Sequence, residues 1–511
     1  MKRRFACWHL LLALAAAPGL AEGMRGYLAV DGDRVLAAES ADRLFTPASV
    51  QKIVVSAAAL HYLGPDHQIE TVVRARGQVR DGVLHGDLVL EAAGDPTWSR
   101  TFFPDDPEAP LRALATEVRR AGIVRVDGDL LVDLSRFPGR RAPTSRSQTE
   151  MGLALGAPVS GLAIDENVAD IRIAPGRRVG DRAAVATDAA IELRNDTVTV
   201  AAARHGKGSV EFLPQWGDGA IRVRGEYPLS EGPYTVRVSL PAPELTAGQR
   251  LREHLAREGV GLRGAVRVAA GRADRERVDG AVRGDALEHG SEPMVARVYS
   301  PPLSKIVEPV LRDSSNWTAE MLALLVALAV GGEGRYGDGV EALGVFLVDE
   351  VGVAEDGFAL DDASGLSPEN LLAPRAVVSV LRFAWRAPWR DTFFAALARP
   401  GNGTLAVWPA LPPVAAKTGT LKHTLALAGS LGGIEAELAT EIPTTAPAAV
   451  AALGPADAPA PDARSQGRAD AASATEPVFF AIFLNHDLRD RATQRREIAD
   501  LLRAWSKTAL K

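Results

Sequence analysis

Three kinds of hydrophobic pattern follow one another along the chain, and each predicts a different kind of element. Apolar runs without glycine or proline at 53–60 and 321–330 predict buried helices. Between residues 67 and 293, short stretches of alternating apolar and polar residues predict strands. The apolar run at 478–484 predicts a buried strand, and the amphipathic stretch at 491–507 predicts a helix packed on it, with binding to a membrane surface as the alternative.

Turn signals separate the predicted strands. A hairpin is predicted near the start, with strands at 26–30 and 35–37, and Asp81-Gly82 marks a second hairpin. The other predicted strands lie at 72–79, 84–90, 127–133, 168–173, 190–200, 220–225 and 234–240. Helices are predicted in that region only at 107–121 and 244–257. The region from 67 to 293 is therefore predicted to be rich in β-structure.

The first residues have the pattern of an export signal. A basic start at 1–4 precedes an apolar core at 5–17, which is too short to span a bilayer as a stable anchor. Small residues at 15–17 and 19–21 offer two cleavage sites, and the second is favoured. We therefore predict a cleaved signal peptide of residues 1–21 and a protein exported to the periplasm, without a stable membrane anchor.

Composition excludes several classes of protein. With 511 residues, 47% hydrophobic and 24% charged, the chain can form large cores and two or three soluble domains. Its formal net charge of -6 argues against nucleic acid as a partner. Cys7 is the only cysteine and lies inside the predicted signal, so the mature chain has no disulfide and no thiolate chemistry.

The first candidate catalytic residues are Ser49 and Lys52, which lie where a loop leads into the apolar helix after Pro47. A spacing of three places both side chains on one side of the helix, near its positive end. A lysine in a desolvated pocket can take the proton of a serine hydroxyl, and the helix terminus offers an N–H group to an oxyanion. The alternative is an exposed serine cap followed by a solvated lysine.

Two further motifs follow in order. Ser314-Ser315-Asn316 stands at the mouth of the second apolar helix, where Ser314 or Asn316 is alternatively no more than its N-cap. Lys417-Thr418-Gly419 lies on a predicted edge strand at 414–421. The alternative is that the lysine only blunts this edge, which means that it prevents pairing with another strand. Ser-x-x-Lys, Ser-x-Asn and Lys-Thr-Gly together are the signatures of penicillin-recognising serine acyl-enzymes, in which the lysine is a disputed base.

The chain resembles the D-alanyl-D-alanine carboxypeptidases/endopeptidases among the class C low-molecular-mass penicillin-binding proteins. The stretches that carry the resemblance are 46–52, 92–97, 300–303, 314–320, 362–367, 403–405, 417–421 and 485–486. One departure is Ala363, where the family usually has glycine.

The resemblance implies an α/β (α+β) fold: a transpeptidase-like, β-lactamase-like catalytic domain, with an antiparallel sheet flanked by helices. It places this domain at 22–66 and 294–511 and implies that 67–293, hereafter the inserted region, forms two β-rich domains. Residues 436–475 have low complexity and no aromatic residue, which predicts a solvated loop within the catalytic domain.

The same resemblance implies a role for each candidate catalytic residue. Ser49 is the nucleophile and Lys52 its base. Ser314 relays a proton to the leaving amine, while Asn316 holds the substrate backbone and the lysine in place.

It also implies the residues that bind the substrate. Lys417 supplies positive charge for the terminal carboxylate of the substrate, and Thr418 forms a hydrogen bond to it. Gly419 lets the peptide approach, and the backbone N–H of Thr420 joins that of Ser49 in binding the oxyanion.

The expected function is an exported serine D-Ala-D-Ala carboxypeptidase and endopeptidase that acts on peptidoglycan stem peptides and is acylated by β-lactams. The sequence has no metal or nucleotide motif, so no cofactor is expected, and His486 is interpreted as strand-end structure. One alternative is a β-lactamase or esterase of the same fold, although no loop with a glutamate for deacylation stands out. The other is a non-catalytic protein that binds the cell wall. The oligomeric state stays open.

Overall fold

The structure is a computed structural model of the 511-residue chain. It describes residues 23–189, 191–202, 209–215, 219–269, 292–432 and 476–509. The predicted signal peptide and the predicted loop at 436–475 lie outside the described residues.

Strands and helices alternate along the described part of the chain. The strands are β1 (Met24–Asp31), β2 (Arg34–Glu39), β3 (Glu70–Arg80), β4 (Val83–Glu91), β5 (Arg125–Val126), β6 (Leu130–Asp133), β7 (Val168–Ala174), β8 (Ala184–Thr187), β9 (Leu193–Val200), β10 (Ser209–Gln215), β11 (Ala220–Pro228), β12 (Tyr234–Ser239), β13 (Gly261–Leu262), β14 (Val266–Ala269), β15 (Met294–Tyr299), β16 (Phe358–Ala359), β17 (Leu371–Leu372), β18 (Val414–Leu421), β19 (Thr424–Leu431) and β20 (Val478–Asn485). The helices are α1 (Lys52–Leu63), α2 (Ala109–Arg120), α3 (Gln148–Met151), α4 (Pro243–Arg257), α5 (Leu303–Glu308), α6 (Asn316–Ala329), α7 (Tyr336–Val345), α8 (Pro374–Arg386), α9 (Arg390–Ala396) and α10 (Arg491–Ala509).

A five-stranded antiparallel sheet joins the two ends of the chain. Its order is β18-β19-β20-β1-β2, so β1 of the N-terminal hairpin pairs with β20, which lies more than 400 residues later, as Tyr27 pairs with Ile482. On one face α10 packs through Ile498, Leu502 and Trp505. The predicted packing of the C-terminal helix on β20 is thereby confirmed, as is the edge position of the strand with Lys-Thr-Gly.

The other face of this sheet is covered by a cluster of helices around α1. Residues 52–60 of α1 are all buried, because α6, α8 and the sheet surround the helix. This explains the uniformly apolar sequence, since a helix with neighbours on all sides has no solvent face. The helix ends at Gly64, whose φ of +84° and N–H bond to Leu60 complete the last turn.

The inserted region contains three sheets. A mixed seven-stranded sheet runs β13-β5-β4-β3-β15 with β6 and β14 alongside, and α2 and α4 pack on it. Two three-stranded sheets, β10-β11-β9 and β12-β7-β8, share a separate small core. The strand β15 pairs with β3, so this sheet continues past the predicted boundary at residue 294. The division into domains stays a prediction.

These sheets and helices confirm the predicted α/β (α+β) class. Among the described residues, none of the helices is long and apolar enough to cross a membrane. Within the same residues, no group of three or more histidine, cysteine, aspartate or glutamate side chains is arranged to hold a metal ion.

Candidate active site

Ser49 lies in a short turn that contacts with distant parts of the chain hold in place. The approach is anchored at Thr46, whose N–H donates to Asn485 Oδ1 at 2.7 Å while Asn485 Nδ2 donates to the Thr46 carbonyl oxygen at 3.1 Å. Next, Ala48 adopts a φ of +48°, a left-handed conformation that residues other than glycine rarely adopt. Such backbone strain concentrates at functional sites.

The prediction that Ser49 and Lys52 share one α-helix is wrong in detail. Ser49 belongs to a 3₁₀ turn, Ala48–Gln51, and α1 begins at Lys52. In a 3₁₀ turn, residues three apart eclipse one another, so the spacing of the motif still brings the two side chains together.

The amine of Lys52 is fully buried and lies at the centre of the site. Its Nζ atom is 2.9 Å from Ser49 Oγ, 2.8 Å from Asn316 Oδ1 and 2.6 Å from the carbonyl oxygen of Ser364. Burial lowers the pKa of Lys52 to about 7, even though nearby carboxylates oppose the shift. The alternative of a solvated lysine is therefore wrong, and near neutral pH a large fraction of this amine has a free electron pair.

The Ser-Ser-Asn turn contributes a second wall of the site. A turn of π-helix, Pro309–Asp313, ends at Ser314, which has a left-handed φ of +69°. The N-cap of α6 is Ser315, whose Oγ accepts a hydrogen bond from the N–H of Thr318. The alternative that Ser314 or Asn316 is only the cap is therefore wrong. Besides contacting Lys52, Asn316 donates through Nδ2 to the Leu155 carbonyl oxygen, at 2.9 Å.

The Lys-Thr-Gly strand closes the site from the sheet side. The Lys417 side chain is fully buried, and its Nζ donates to the Thr418 carbonyl oxygen at 2.9 Å. Burial, together with the charge on Lys52, lowers the pKa of Lys417 well below its usual value. A buried amine cannot protect a sheet edge from pairing with another strand, so the alternative that Lys417 only blunts the edge is wrong. Thr418 is buried, whereas Thr420 is exposed.

Two glycines allow the backbone segments of the site to approach each other. A Cβ on Gly365 would lie 1.9 Å from the carbonyl oxygen of Ala48. A Cβ on Gly419 would lie 2.5 Å from the carbonyl oxygen of Pro47 and 3.2 Å from the Cβ of Ala48. The close packing of the turn around Ser49 is thus a structural reason for Gly419, beside the predicted approach of a peptide.

We expect the Gly419→Ala substitution to slow acylation by a penicillin about 100-fold. The added methyl group displaces the Pro47–Ala48 backbone, and small displacements of a nucleophile have effects of this size. The measurement is the rate of labelling with a fluorescent penicillin. Gly337→Ala is the matched control, because its added Cβ meets no atom within 4 Å. Equal rates in the two variants would contradict the prediction.

Three residues that contribute to the site were not predicted. The Ser364 carbonyl accepts the bond from Lys52, and Glu320 accepts the backbone N–H groups of Ala363 and Ser364. Both lie within the stretches that carry the family resemblance. The third, Arg146, forms ion pairs with Glu320 and Asp362 and has no motif around it.

An antiparallel sheet flanked by helices, with a serine beside a buried lysine and beneath a Lys-Thr-Gly strand, defines a serine peptidase of the penicillin-binding class. The chain belongs to the D-Ala-D-Ala carboxypeptidase 3 (S13) family, whose sequence model matches residues 11–504. It is 32% identical over 461 residues to the D-alanyl-D-alanine carboxypeptidase of Actinomadura sp. strain R39, covering 84% of this chain and 79% of that one. It is 23% identical over 423 residues to D-alanyl-D-alanine carboxypeptidase DacB of Haemophilus influenzae, covering 81% and 83%.

Solved structures show the same fold. The chain matches the crystal structure of penicillin binding protein 4 from Haemophilus influenzae with a TM-score of 0.75 at 20% identity, covering 95% of this chain and 97% of that one. The complex of that protein with a β-lactam matches with a TM-score of 0.70. The predicted family and enzyme class are confirmed: the chain is a serine-type D-Ala-D-Ala carboxypeptidase, a penicillin-binding hydrolase that acts on peptidoglycan.

Proposed function

We propose that the protein is exported to the periplasm and cleaves the terminal D-Ala-D-Ala bond of stem peptides through an ester on Ser49, which β-lactams also form. The observation that carries the proposal is the 2.9 Å contact between Ser49 Oγ and the buried amine of Lys52. A serine hydroxyl needs an adjacent base to become a nucleophile, and this amine has the lowered pKa that a base requires.

Acylation moves one proton and exchanges one bond. Lys52 takes the hydroxyl proton while Ser49 Oγ attacks the carbonyl carbon of the penultimate D-alanine. The backbone N–H groups of Ser49 and Thr420 bind the resulting oxyanion. When the C–N bond breaks, the proton passes from Lys52 through the Ser314 hydroxyl to the leaving nitrogen, and D-alanine departs. Water then hydrolyses the ester and restores the free serine.

Substrate binding uses the charge on the sheet side of the site. Lys417 and Thr418 bind the terminal carboxylate, and Asn316 binds the peptide backbone. Burial disfavours the charged form of Lys417, whereas an arriving carboxylate favours it. The substrate therefore stabilises the charge that holds it, which favours ligands that end in a carboxylate, as both the stem peptide and penicillin do.

The rate of acylation is expected to rise as the pH increases through about 7. Only the neutral amine of Lys52 accepts the serine proton, and its pKa of about 7 means that the amine is mostly protonated at lower pH. The measurement is the second-order rate of labelling with a low concentration of fluorescent penicillin, in buffers from about pH 5 to about pH 9. A rate that is constant, or that falls, across neutral pH would contradict the role of Lys52.

The reaction itself is tested with defined muropeptides. Incubation with a pentapeptide is expected to release terminal D-alanine, and incubation with a cross-linked dimer measures the endopeptidase reaction. Mass spectrometry identifies the products. Absence of both reactions under conditions in which penicillin labels the protein would remove the peptidase proposal. Export is tested separately, by fractionating cells and determining the N-terminus of the mature chain, which is expected to follow Ala21.

A further inference from the structure

Arg146 belongs to the inserted region but lies against two buried carboxylates of the candidate site. Arg146, in the segment before α3, has only 4% of its side chain exposed. Its Nη2 atom is 3.3 Å from Glu320 Oε1 and 3.1 Å from Asp362 Oδ2, on side chains that are 2% and 0% exposed. A buried carboxylate requires a partner charge or several hydrogen bonds, and this guanidinium contacts both carboxylates at once.

Glu320 uses its carboxylate to hold the loop behind Lys52. It lies in α6, one turn after Asn316, and accepts the N–H groups of Ala363 and Ser364 at 3.2 and 3.3 Å. The hydroxyl of Tyr336, whose pKa burial keeps well above its usual value, donates to it at 2.8 Å. Burial and the neighbouring Asp362 carboxylate raise the pKa of Glu320.

Asp362 accepts hydrogen bonds from the rest of the same loop. It accepts the N–H groups of Gly365 and Ser367 at 2.6 and 2.7 Å, and Asn370 Nδ2 donates to it at 2.7 Å. Between these anchored positions lies Ser364, whose carbonyl oxygen is 2.6 Å from Lys52 Nζ. The two carboxylates therefore set the position of an atom that contacts the general base.

We propose that Arg146 is a positioning residue for Lys52: through the pair of carboxylates that holds the loop at 362–367, it fixes both the position of the amine and the balance of charge around it. This inference rests on the proposed role of Lys52 as the general base. The same inserted segment also contacts the second motif, because the Leu155 carbonyl oxygen accepts a hydrogen bond from Asn316 Nδ2. The inserted region thus forms part of the catalytic site, and removing it would remove the arginine as well.

The charged groups around Lys52 shift its pKa in opposite directions. After burial, which lowers the pKa of the amine most, Asp362 and Glu320 raise it and Arg146 lowers it. Lys417 faces the same amine, and the charge on Lys52 helps to lower the pKa of Lys417. Loss of the guanidinium leaves the carboxylates unopposed, so the charged form of Lys52 becomes more stable.

The test is the pH dependence of penicillin acylation in Arg146→Gln. The rise in rate near pH 7 is expected to move upward by about one pH unit, which makes the variant about fivefold slower at pH 7. Arg146→Lys keeps the charge and is expected to keep the rise near its original pH. A variant that is slower at every pH, with the rise unmoved, has only lost structure, and this result would overturn the inference.

Two further variants serve as a control and as a test of the opposite change in charge. Arg250→Gln, which removes an arginine that pairs with Glu108 and Glu253 in the inserted region, is expected to leave the profile unchanged. Glu320→Gln removes a negative charge and is expected to move the rise to lower pH. If Arg146→Gln does not fold, this opposite shift tests whether the carboxylates through which Arg146 would act affect Lys52, and its absence would overturn the inference.

A direct titration separates this inference from the proposed function. Carbon-13 labelling of lysine side chains allows NMR to follow the amine of Lys52, with its signal assigned by Lys52→Met. The pKa is expected to be higher in Arg146→Gln than in the original protein, whether or not penicillin reacts. If the original protein is not acylated at all, the proposed function fails while the NMR shift still tests Arg146; an unchanged pKa would overturn the inference.

Discussion

The Ser49→Ala protein is expected to form no covalent adduct with a fluorescent penicillin and to release no D-alanine from a pentapeptide. The substitution removes the oxygen that lies 2.9 Å from Lys52 Nζ, and with it the atom that forms the ester. Removing a serine nucleophile lowers turnover on the order of 10⁶-fold. The change deletes one atom from a partly exposed side chain, so the free energy of unfolding is expected to change by less than about 0.5 kcal/mol.

Ser56 offers a matched control on the same stretch of chain. It is a buried serine in α1, and its Oγ has no hydrogen-bond partner within the described part of the structure. Ser56→Ala is therefore expected to be labelled at the original rate. Gel fluorescence measures the adduct, and thermal unfolding verifies that both variants are folded. Labelling that persists in Ser49→Ala would remove Ser49 from its proposed role.

The Lys52→Met protein is expected to acylate about 10³-fold more slowly than the original. Methionine has a similar length but no group that accepts a proton, and general base catalysis contributes typically about 10² to 10⁴-fold. The remaining rate is expected to lack the rise near pH 7, because the group that titrates there is gone. This second signature distinguishes loss of the base from a general distortion of the site.

The measurement is the second-order rate of penicillin labelling as a function of pH. Lys305→Met is the control, since Lys305 is exposed on α5, and its rate and profile are expected to stay unchanged. If Lys52→Met reacted at the original rate at neutral pH, another group would have to take the serine proton, and the proposed mechanism would need a different base.

The sequence revealed the three motifs of the site, because each is a short run of residues whose spacing carries its own chemistry. It did not reveal the local geometry of Ser49. The 3₁₀ turn depends on the left-handed Ala48 and on the close approach of Gly365, which is a contact between distant parts of the chain. Arg146 was missed for the same reason, since its partners lie 174 and 216 residues further along.

The ion pairs of Arg146 with Glu320 and Asp362 could not be predicted from a pattern of residues. Glu320 and Asp362 both stand in stretches quoted for the family resemblance, but their shared arginine comes from a region predicted only as a set of strands. In contrast, β20 and the packing of α10 on it follow from local hydrophobic pattern, and both regions were predicted correctly in type and place.

The sheet described above, with β1 enclosed between β2 and β20, makes the site depend on a strand that is synthesised late. The N-terminal hairpin emerges from the ribosome hundreds of residues before the strand that pairs with it, and such distant pairing forms late. A polypeptide that stops short of β20 carries Ser49 but has no finished sheet to hold it. We therefore expect a chain truncated before β20 to fold without a finished site and to have no hydrolytic activity.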